Sequence, residues 1–271
     1  MVTHIYESNI PGIVAQYNKI HSNKLNISDP KTFTEKIQWL KVYDSTFLKT
    51  FCADKINVHR YFQKTLGIDI GVPIIKICKL VDQITTNDLS NQCVIKCNHG
   101  SGMNVVIKPN TPHASLSEIK QKLINWLHHD HGKPFHEAHY SLIKPTVFIE
   151  KYVENMTDVK VFCFNGTPKF YQVDMHLYER RQNFYDLNWN PMVWLSRTDY
   201  PADYSKLDPI PPINMLYNFA AKLCKPFKFV RCDFIITPER IYGGELTFTP
   251  GAGNQSYYGD ADVRLGELLK I

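Results

Sequence analysis

Two segments near the carboxyl end carry the residues best suited to chemistry: Phe229-Val-Arg-Cys-Asp-Phe-Ile-Ile236 and Ile241-Tyr-Gly-Gly-Glu-Leu-Thr-Phe-Thr-Pro-Gly251. Both are rich in Val, Ile, Phe and Tyr, and the intervening Thr237-Pro238-Glu239-Arg240 is turn-like, so the pair predicts a β-hairpin. Alternation along a strand puts Arg231 and Asp233 on one face, and Glu245 and Thr247 likewise on theirs. A register that sets Asp233 against Glu245 also sets Arg231 against Thr247. Carboxylates that close repel unless a cation lies between them. Mg2+ meets that need, because it takes hard oxygen ligands and shares them with substrate phosphates. A metal-free Arg–Asp–Glu ion cluster accounts for the same residues, and the hairpin alone leaves both readings open.

Two lysines extend the pattern. Asp54 suits the N-cap of a helix running from about Asp54 to Leu66 and stopped by Gly67. Lys55 then falls in the first turn, where the helix dipole disfavours a cation; it is either a solvated lysine or one held to meet an anion. Lys96 lies inside the short apolar strand Cys93-Val-Ile-Lys-Cys97. If buried it needs an anionic partner; on an edge strand it would snorkel to water. Asn98-His-Gly-Ser-Gly-Met-Asn104 follows, then a second strand from Val105 to Lys108. Strand, glycine-containing loop and strand form a flap whose backbone N–H groups can turn toward one anion. It is no Walker loop, lacking the Gly-Lys-Ser/Thr ending, and no dinucleotide fingerprint, since no helix follows.

The elements around these residues are mixed. Residues 1–30 predict one short helix and loops, and Thr32-Phe-Thr-Glu35 a capping box opening a second helix with Phe33, Ile37 and Leu40 on its apolar face. Gly71 to Val81 is β-like, and Ser115 to about His129 is an amphipathic helix. The histidines of His128-His-Asp-His131 and His136-Glu-Ala-His139 miss the His-Glu-x-x-His spacing, and read as a polar helix end and a loop rather than a zinc site. Val147 to Val153, Asp158 to Phe164 and Lys169 to Val173 predict strands, the last two joined through Asn165-Gly166. Asp174 to Asp199 predicts a 26-residue irregular excursion lining the site, and Pro212 to about Cys224 and Asp262 to Leu269 predict helices.

The whole chain has 271 residues, 44% hydrophobic and 21% charged, with a net charge of +5: ordinary globular composition, with an excess of positive charge too mild and dispersed for a nucleic-acid binder. Seven scattered cysteines without framework spacing point to reduced thiols. No signal peptide or membrane-length apolar run is present, so the expected location is cytoplasmic, at most peripheral on the inner membrane surface.

In order along the chain, Glu35-Lys-Ile-Gln-Trp-Leu40, Cys52-Ala-Asp-Lys55, Val94-Ile-Lys-Cys-Asn-His-Gly-Ser-Gly102 and Gly244-Glu-Leu-Thr-Phe-Thr-Pro-Gly251 resemble the ATP-grasp superfamily, specifically its TupA-like branch, linked to teichuronopeptide and capsular polysaccharide synthesis. The resemblance covers about residues 30 to 271. It implies an α+β fold in which two lobes sandwich ATP: a helical N-terminal segment at 1–50, a small lobe with the flap at 51–150, and a large lobe with the metal and acceptor site at 151–271. It further implies Lys55 and Lys96 on the α- and β-phosphates, with His99, Gly100, Ser101, Gly102 and Asn104 folding over them. Adenine would lie against the linking strand. There Glu150 and the Lys151 carbonyl would accept from its amino group, and the Val153 N–H would donate to the ring. Asp158 would hold the ribose, and Asp233, Glu245 and Thr247 one or two Mg2+ or Mn2+ ions. Arg231, with the Gly251 N–H, would stabilise an oxyanion. Arg180, Arg181 and Arg197 would select carboxylate or sugar-phosphate substrates, or else are exposed loop charges.

Two departures stand out. Many relatives carry Asn where Thr247 stands, which weakens a second metal site, and the short helical stretch ahead of Asp54 leaves no room for the βαβ domain found there in many such ligases. The expected activity is an ATP-dependent carboxylate–amine ligase acting through an acyl phosphate, its substrates an amino acid and a uronic-acid-containing glycan or precursor. The alternatives are a glycosyltransferase, which would want an Asp-x-Asp motif on a strand end, a sugar kinase on the same ATP site, and a nucleotide sensor, which the intact Arg231, Asp233 and Glu245 disfavour.

Overall fold

The computed structural model describes residues 3–4, 6–21, 23–108, 113–175 and 181–271. Two short strands, β1 (Thr3–His4) and β2 (Ser45–Thr46), pair antiparallel around α1 (Ile10–Ile20) and α2 (Phe33–Tyr43). The capping box forms: the Thr32 hydroxyl accepts the Glu35 N–H, and the Glu35 carboxylate takes the Thr32 N–H. The apolar face of α2 (Phe33, Ile37, Leu40) is buried in a core with Phe164, Phe170 and Phe229.

The helix expected from Asp54 to Leu66 is shorter in the structure: α4 (Val58–Leu66) follows α3 (Phe47–Ala53), with Asp54 and Lys55 in the turn between them. The Asp54 carboxylate accepts from the Ile56 and Asn57 N–H groups at 2.8 and 3.2 Å and from the Asn57 amide at 2.8 Å. These bonds satisfy first-turn N–H groups that have no helical acceptor, and with the Val58 N–H donating to the Asp54 carbonyl at 2.9 Å they lead the chain into α4. Gly67, at φ 81°, ends it.

A four-stranded antiparallel sheet follows, built from β3 (Ile74–Cys78), β4 (Cys93–Cys97), β5 (Asn104–Ile107) and β6 (Val147–Lys151) in the order β3-β6-β4-β5. Helix α5 (Leu116–Leu127), opened by a Ser115–Glu118 capping box, packs Ile119 and Leu123 against Ile95, Ile107 and Ile149 on one face. The short α6 (Ala138–Ser141) precedes β6.

The second sheet is five-stranded and antiparallel, with β7 (Thr157–Phe164), β8 (Thr167–Met175), β9 (Arg181–Tyr185), β10 (Phe229–Ile236) and β11 (Ile241–Thr247) in the order β11-β10-β7-β8-β9. Asn165 and Gly166, at φ 51° and 72°, make the tight turn between β7 and β8. One face buries Val159, Val161, Val173 and Phe234 under α4 and α7 (Ile213–Leu223); the other buries Phe162, Phe170 and Phe229 under α2 and α8 (Ala261–Leu268).

The expected 26-residue excursion is shorter than its sequence suggested, because β8 runs on to Met175 and Arg181–Tyr185 returns as an edge strand. Its Gln182 and Asn183 are buried polar residues, so hydrophobic alternation does not reveal it. Asn183 is satisfied by the Asp203 carbonyl and the Asp208 carboxylate at 2.8 and 3.0 Å.

The segment between α4 and β3 meets the second sheet at glycines. Gly71 and Gly243 form a parallel bridge, and the Gly243 N–H donates to the Ile70 carbonyl at 2.8 Å. A Cβ on Gly243 would come within 2.7 Å of the Phe62 ring, so only glycine permits this approach. All seven cysteines are free and buried. Among the described residues no helix is long and apolar enough to cross a membrane.

Candidate active site

The hairpin has the register its alternation predicts: Asp233 pairs with Glu245 and Arg231 with Thr247. A bulge after Asp233 brings Phe234 opposite Gly243 and leaves Gly244 unpaired, a device that re-aims neighbouring side chains. Arg231 grips Asp233 with both ends of its fork, Nε to Oδ1 at 2.7 Å and Nη2 to Oδ2 at 2.6 Å. Nη2 also reaches the Thr247 hydroxyl at 3.3 Å, which in turn donates to Glu245 Oε1 at 3.2 Å. Burial opposes charge on Arg231, but Asp233 outweighs it and holds the guanidinium protonated. Burial likewise works against an ionised Glu245, yet Lys55 and then Arg231 prevail and lower its carboxyl to about 2.

This face of the hairpin forms one wall of a cavity of about 450 Å³ between the two sheets. Strand β7 adds Asp158 and Lys160, the latter opposite Asp233 in register and paired with Asp174 of β8 at 2.9 Å. Asp174 belongs to the excursion expected to line the site, whereas Lys160 is a further site residue. The signal was available, since Lys160 is a lysine within an apolar strand, as Lys96 is, and shares a face with Asp158.

The opposite wall holds the other lysines. Lys55 is fixed by its own N–H, which donates to the Asn98 carbonyl at 3.2 Å. Its Nζ donates to the Gly100 carbonyl at 2.5 Å and lies 3.6 Å from Glu245 Oε2. Lys96 forms an ion pair with Glu150 of the neighbouring strand. The flap closes back on this strand, with Asn104 opposite Lys96, and Gly102 at its tip takes φ 72° with no atom near its missing Cβ.

Gly100, Ser101, Gly102 and Asn104 line the main cavity, as do Glu150, Asp158, Arg231, Asp233 and Glu245. Lys151 and Val153 line an adjoining recess of about 180 Å³ with Val72, Val94, Val106 and Tyr152. Lys96 and Glu150 belong to both. Three further candidates lie off these walls. The His99 ring is buried, its Nε2 bonded to the Trp126 and His129 carbonyls at 3.1 and 3.2 Å. Thr247 is engaged by Arg231 and Glu245. Gly251, at φ 55°, sits in the turn after β11, whose following carbonyl, that of Ala252, accepts from Lys41 at 2.6 Å and Gln38 at 3.2 Å. Of the three arginines proposed to select substrates, Arg181 is bonded to Asp208 at 2.8 Å, Arg197 pairs with Asp199, and Arg180 lies outside the described residues.

Among the described residues no group of three or more His, Cys, Asp or Glu side chains could hold a metal ion. Asp233 and Glu245 instead offer a two-carboxylate platform, the usual protein share of a Mg2+ site completed by substrate phosphates and water.

No curated protein matches the chain. Among solved structures it is similar to D-alanine–D-alanine ligase from Bacillus anthracis complexed with ATP (16% identity, TM-score 0.40, covering 73% of this chain and 54% of that one). It is also similar to N5-carboxyaminoimidazole synthetase from Staphylococcus aureus (13%, 0.42, 73% and 44%) and to biotin carboxylase from Campylobacter jejuni (12%, 0.44, 97% and 51%). The chain thus spans about half the length of the structures it matches. The family profile described as TupA-like ATPgrasp matches residues 35–270, nearly the whole chain. With its two antiparallel sheets behind an N-terminal helical segment, this α+β chain belongs to the TupA-like ATP-grasp family.

Proposed function

We propose that the chain is an ATP-dependent carboxylate–amine ligase that binds ATP with Mg2+ or Mn2+ between its sheets. Its product would be an amide joining an amino acid to a uronic acid of a cell-surface polysaccharide or precursor. Residues 51–150 and 151–271 would act as the two lobes, behind the segment 1–50. The observation that carries the reading is that Asp233 and Glu245 face each other on the cavity wall that Lys55 approaches from the other side.

The charges fit a metal–nucleotide complex better than a bare anion. The main cavity gathers four cationic side chains (Lys55, Lys96, Lys160, Arg231) against five carboxylates (Glu150, Asp158, Asp174, Asp233, Glu245). A polyphosphate entering alone would add like charge to a balance already negative; a divalent cation shared with Asp233 and Glu245 removes that conflict. Bound there, Mg2+ would neutralise phosphate charge and orient the phosphoryl group.

The chain's own residues would do the rest. Lys55 and Lys96 would leave the Gly100 carbonyl and Glu150 in part to meet phosphate oxygens, and the flap's N–H groups would cover them and exclude water. The apolar recess around Val72, Val94 and Val106 suits a flat aromatic base. In that recess Glu150 and the Lys151 carbonyl would accept and the Val153 N–H would donate, while Asp158 on the main cavity would take the ribose. Arg231 is held in place by Asp233 through Nε and Nη2, and its Nη1, which joins neither bond, would meet the developing oxyanion. Thr247 would orient Glu245 through their hydrogen bond.

Incubation with ATP, Mg2+, candidate amino acids and uronic-acid glycans tests the reading. ADP, phosphate and an amide support it. Consumption of a nucleotide sugar with ATP untouched would refute it, and a phosphorylated sugar without amide would assign the cavity to a kinase.

A further inference from the structure

The histidine-rich stretch after α5, which the proposed chemistry leaves unused, lies against the root of the flap. The Ser101 N–H donates to His131 Nε2 at 3.3 Å. The imidazole packs so closely on the preceding residue that a Cβ on Gly100 would lie 2.8 Å from its Cγ. On its far side the ring meets the edge of Tyr140, with centroids 5.2 Å apart and planes at 90°. Asp130 fixes the loop that carries it, accepting at one oxygen from the Gly132 and Lys133 N–H groups and the Ser141 hydroxyl at 3.0, 3.1 and 2.6 Å. His99 ties the flap to the same segment through the His129 carbonyl.

We propose that His131 is a positioning residue for the flap: its neutral imidazole anchors the Ser101 amide and so fixes the Gly100 carbonyl, the acceptor for Lys55, at the mouth of the cavity. The inference rests on the reading of this cavity as an ATP site. Three contacts converge on two consecutive residues. His131 holds the Ser101 N–H, Lys55 holds the Gly100 carbonyl, and Cβ, Cγ and Nδ1 of His131 occupy the space that Gly100 leaves open. The contact stops there, since nothing lies within 4 Å of the missing Cβ of Gly102. Accepting from an N–H requires an unprotonated Nε2. Burial, with Lys55 next, lowers the His131 pKa in agreement with that state.

The test compares wild type with His131→Leu, His131→Gln and Gly100→Ala. Hydrogen exchange of the flap amides is read without ligand, and MgATP affinity by calorimetry. Leu removes the acceptor, Gln restores one, and Ala at Gly100 displaces the ring from the opposite side. The expected result is faster exchange at Ser101 in the Leu and Ala variants, with MgATP binding weakened roughly fivefold, the scale of one lost hydrogen bond, and recovery of both in Gln. Unchanged flap exchange in His131→Leu and Gly100→Ala would overturn the proposal, as would a Gln variant no better than Leu. Wild type that binds no MgATP, while exchange still responds to His131, would remove the ATP reading and leave the anchor standing.

Discussion

Asp233 stands directly opposite Glu245 across β10 and β11, yet each carboxylate has its own cation: Arg231 grips Asp233 at 2.6 and 2.7 Å, while Lys55 lies 3.6 Å from Glu245. Arg231 and Asp233 are neighbours on one strand, whereas Lys55 comes from the turn before α4. The carboxylate pair therefore stays poised only while the turn before α4 remains against β11, which places the Gly71–Gly243 bridge, made by the segment after α4, within the same mechanical unit.

Asp233→Asn keeps the shape of the side chain and one acceptor for Arg231 but removes the charge. ATP turnover, measured as ADP release, is expected to fall by roughly 100-fold, as when a metal-site partner is lost. Urea unfolding is expected to show a stability loss of about 3 kcal/mol, because a buried guanidinium loses its counter-charge. Adding Arg231→Met should restore stability without restoring turnover. Full turnover in the single variant would remove Asp233 from the metal site.

Gly243→Ala drives a methyl group into the Phe62 ring and the Ile70 methyl, at 2.7 and 3.0 Å, where α4 and the segment after it touch β11. Both are buried side chains with little room to yield. Overpacking of this kind costs about 1–3 kcal/mol, so thermal unfolding should move down by several degrees. MgATP affinity should fall with it as the walls of the cavity separate. An unchanged melting temperature would show that this contact relaxes freely.

The hairpin was legible in the sequence because alternation fixes faces, and a single register brings Asp233 to Glu245 and Arg231 to Thr247. Lys55 and Lys96 stood out for a related reason: each is a cation where local structure disfavours one. Two things were hidden. The turn at Asp54–Asn57, which shortens the expected helix, is held by side-chain bonds of Asp54 that apolar periodicity does not register. Strand β9 places polar Gln182 and Asn183 inside, and the partners of Asn183 lie twenty or more residues further on, at Asp203 and Asp208. The same non-locality concealed the role of His131, whose contact with Ser101 spans thirty residues. Spacing rules for metal ligands say nothing about an imidazole that braces a loop.

His139 gives the stability of the fold a pH dependence with a definite sign. It is 4% exposed, its Nε2 has no partner, and burial, followed by Lys49 and Lys41, lowers its pKa to about 3. The unfolded chain, with a pKa of about 6.5, therefore binds a proton that the folded chain refuses. The stabilisation is present above that value and is lost as pH falls, by about 2 kcal/mol at pH 5. His139→Leu should remove this component, so that urea unfolding at pH 7.5 and pH 5 differs less than in wild type by about that amount. An identical pH dependence in the two proteins would mean that His139 stays unprotonated in both states or protonates freely in both.

Lys41 and Glu137 make the sharpest test of how the N-terminal helices support the turn after β11. Lys41 Nζ, almost fully buried, donates to the carbonyls of Phe135 and Ala252 at 2.9 and 2.6 Å, and Glu137 accepts from the Thr249 hydroxyl. Burial lowers Lys41 to about 8 despite the pull of Glu137, and raises Glu137 despite the pull of Lys41, so each charge depends on the other. Lys41→Met would leave two buried carbonyls without this donor and a carboxylate without its cation, a loss of about 3–5 kcal/mol. Glu137→Gln added to it relieves the unpaired charge and should recover part of that loss. A double variant whose loss equals the sum of the two single losses would show no coupling. Because the Ala252 carbonyl follows Gly251, Lys41→Met should also lower kcat more than it raises the KM for ATP, if the Gly251 N–H meets the acyl group rather than the nucleotide. A rise in the KM for ATP alone would place that turn on the nucleotide side of the cavity instead.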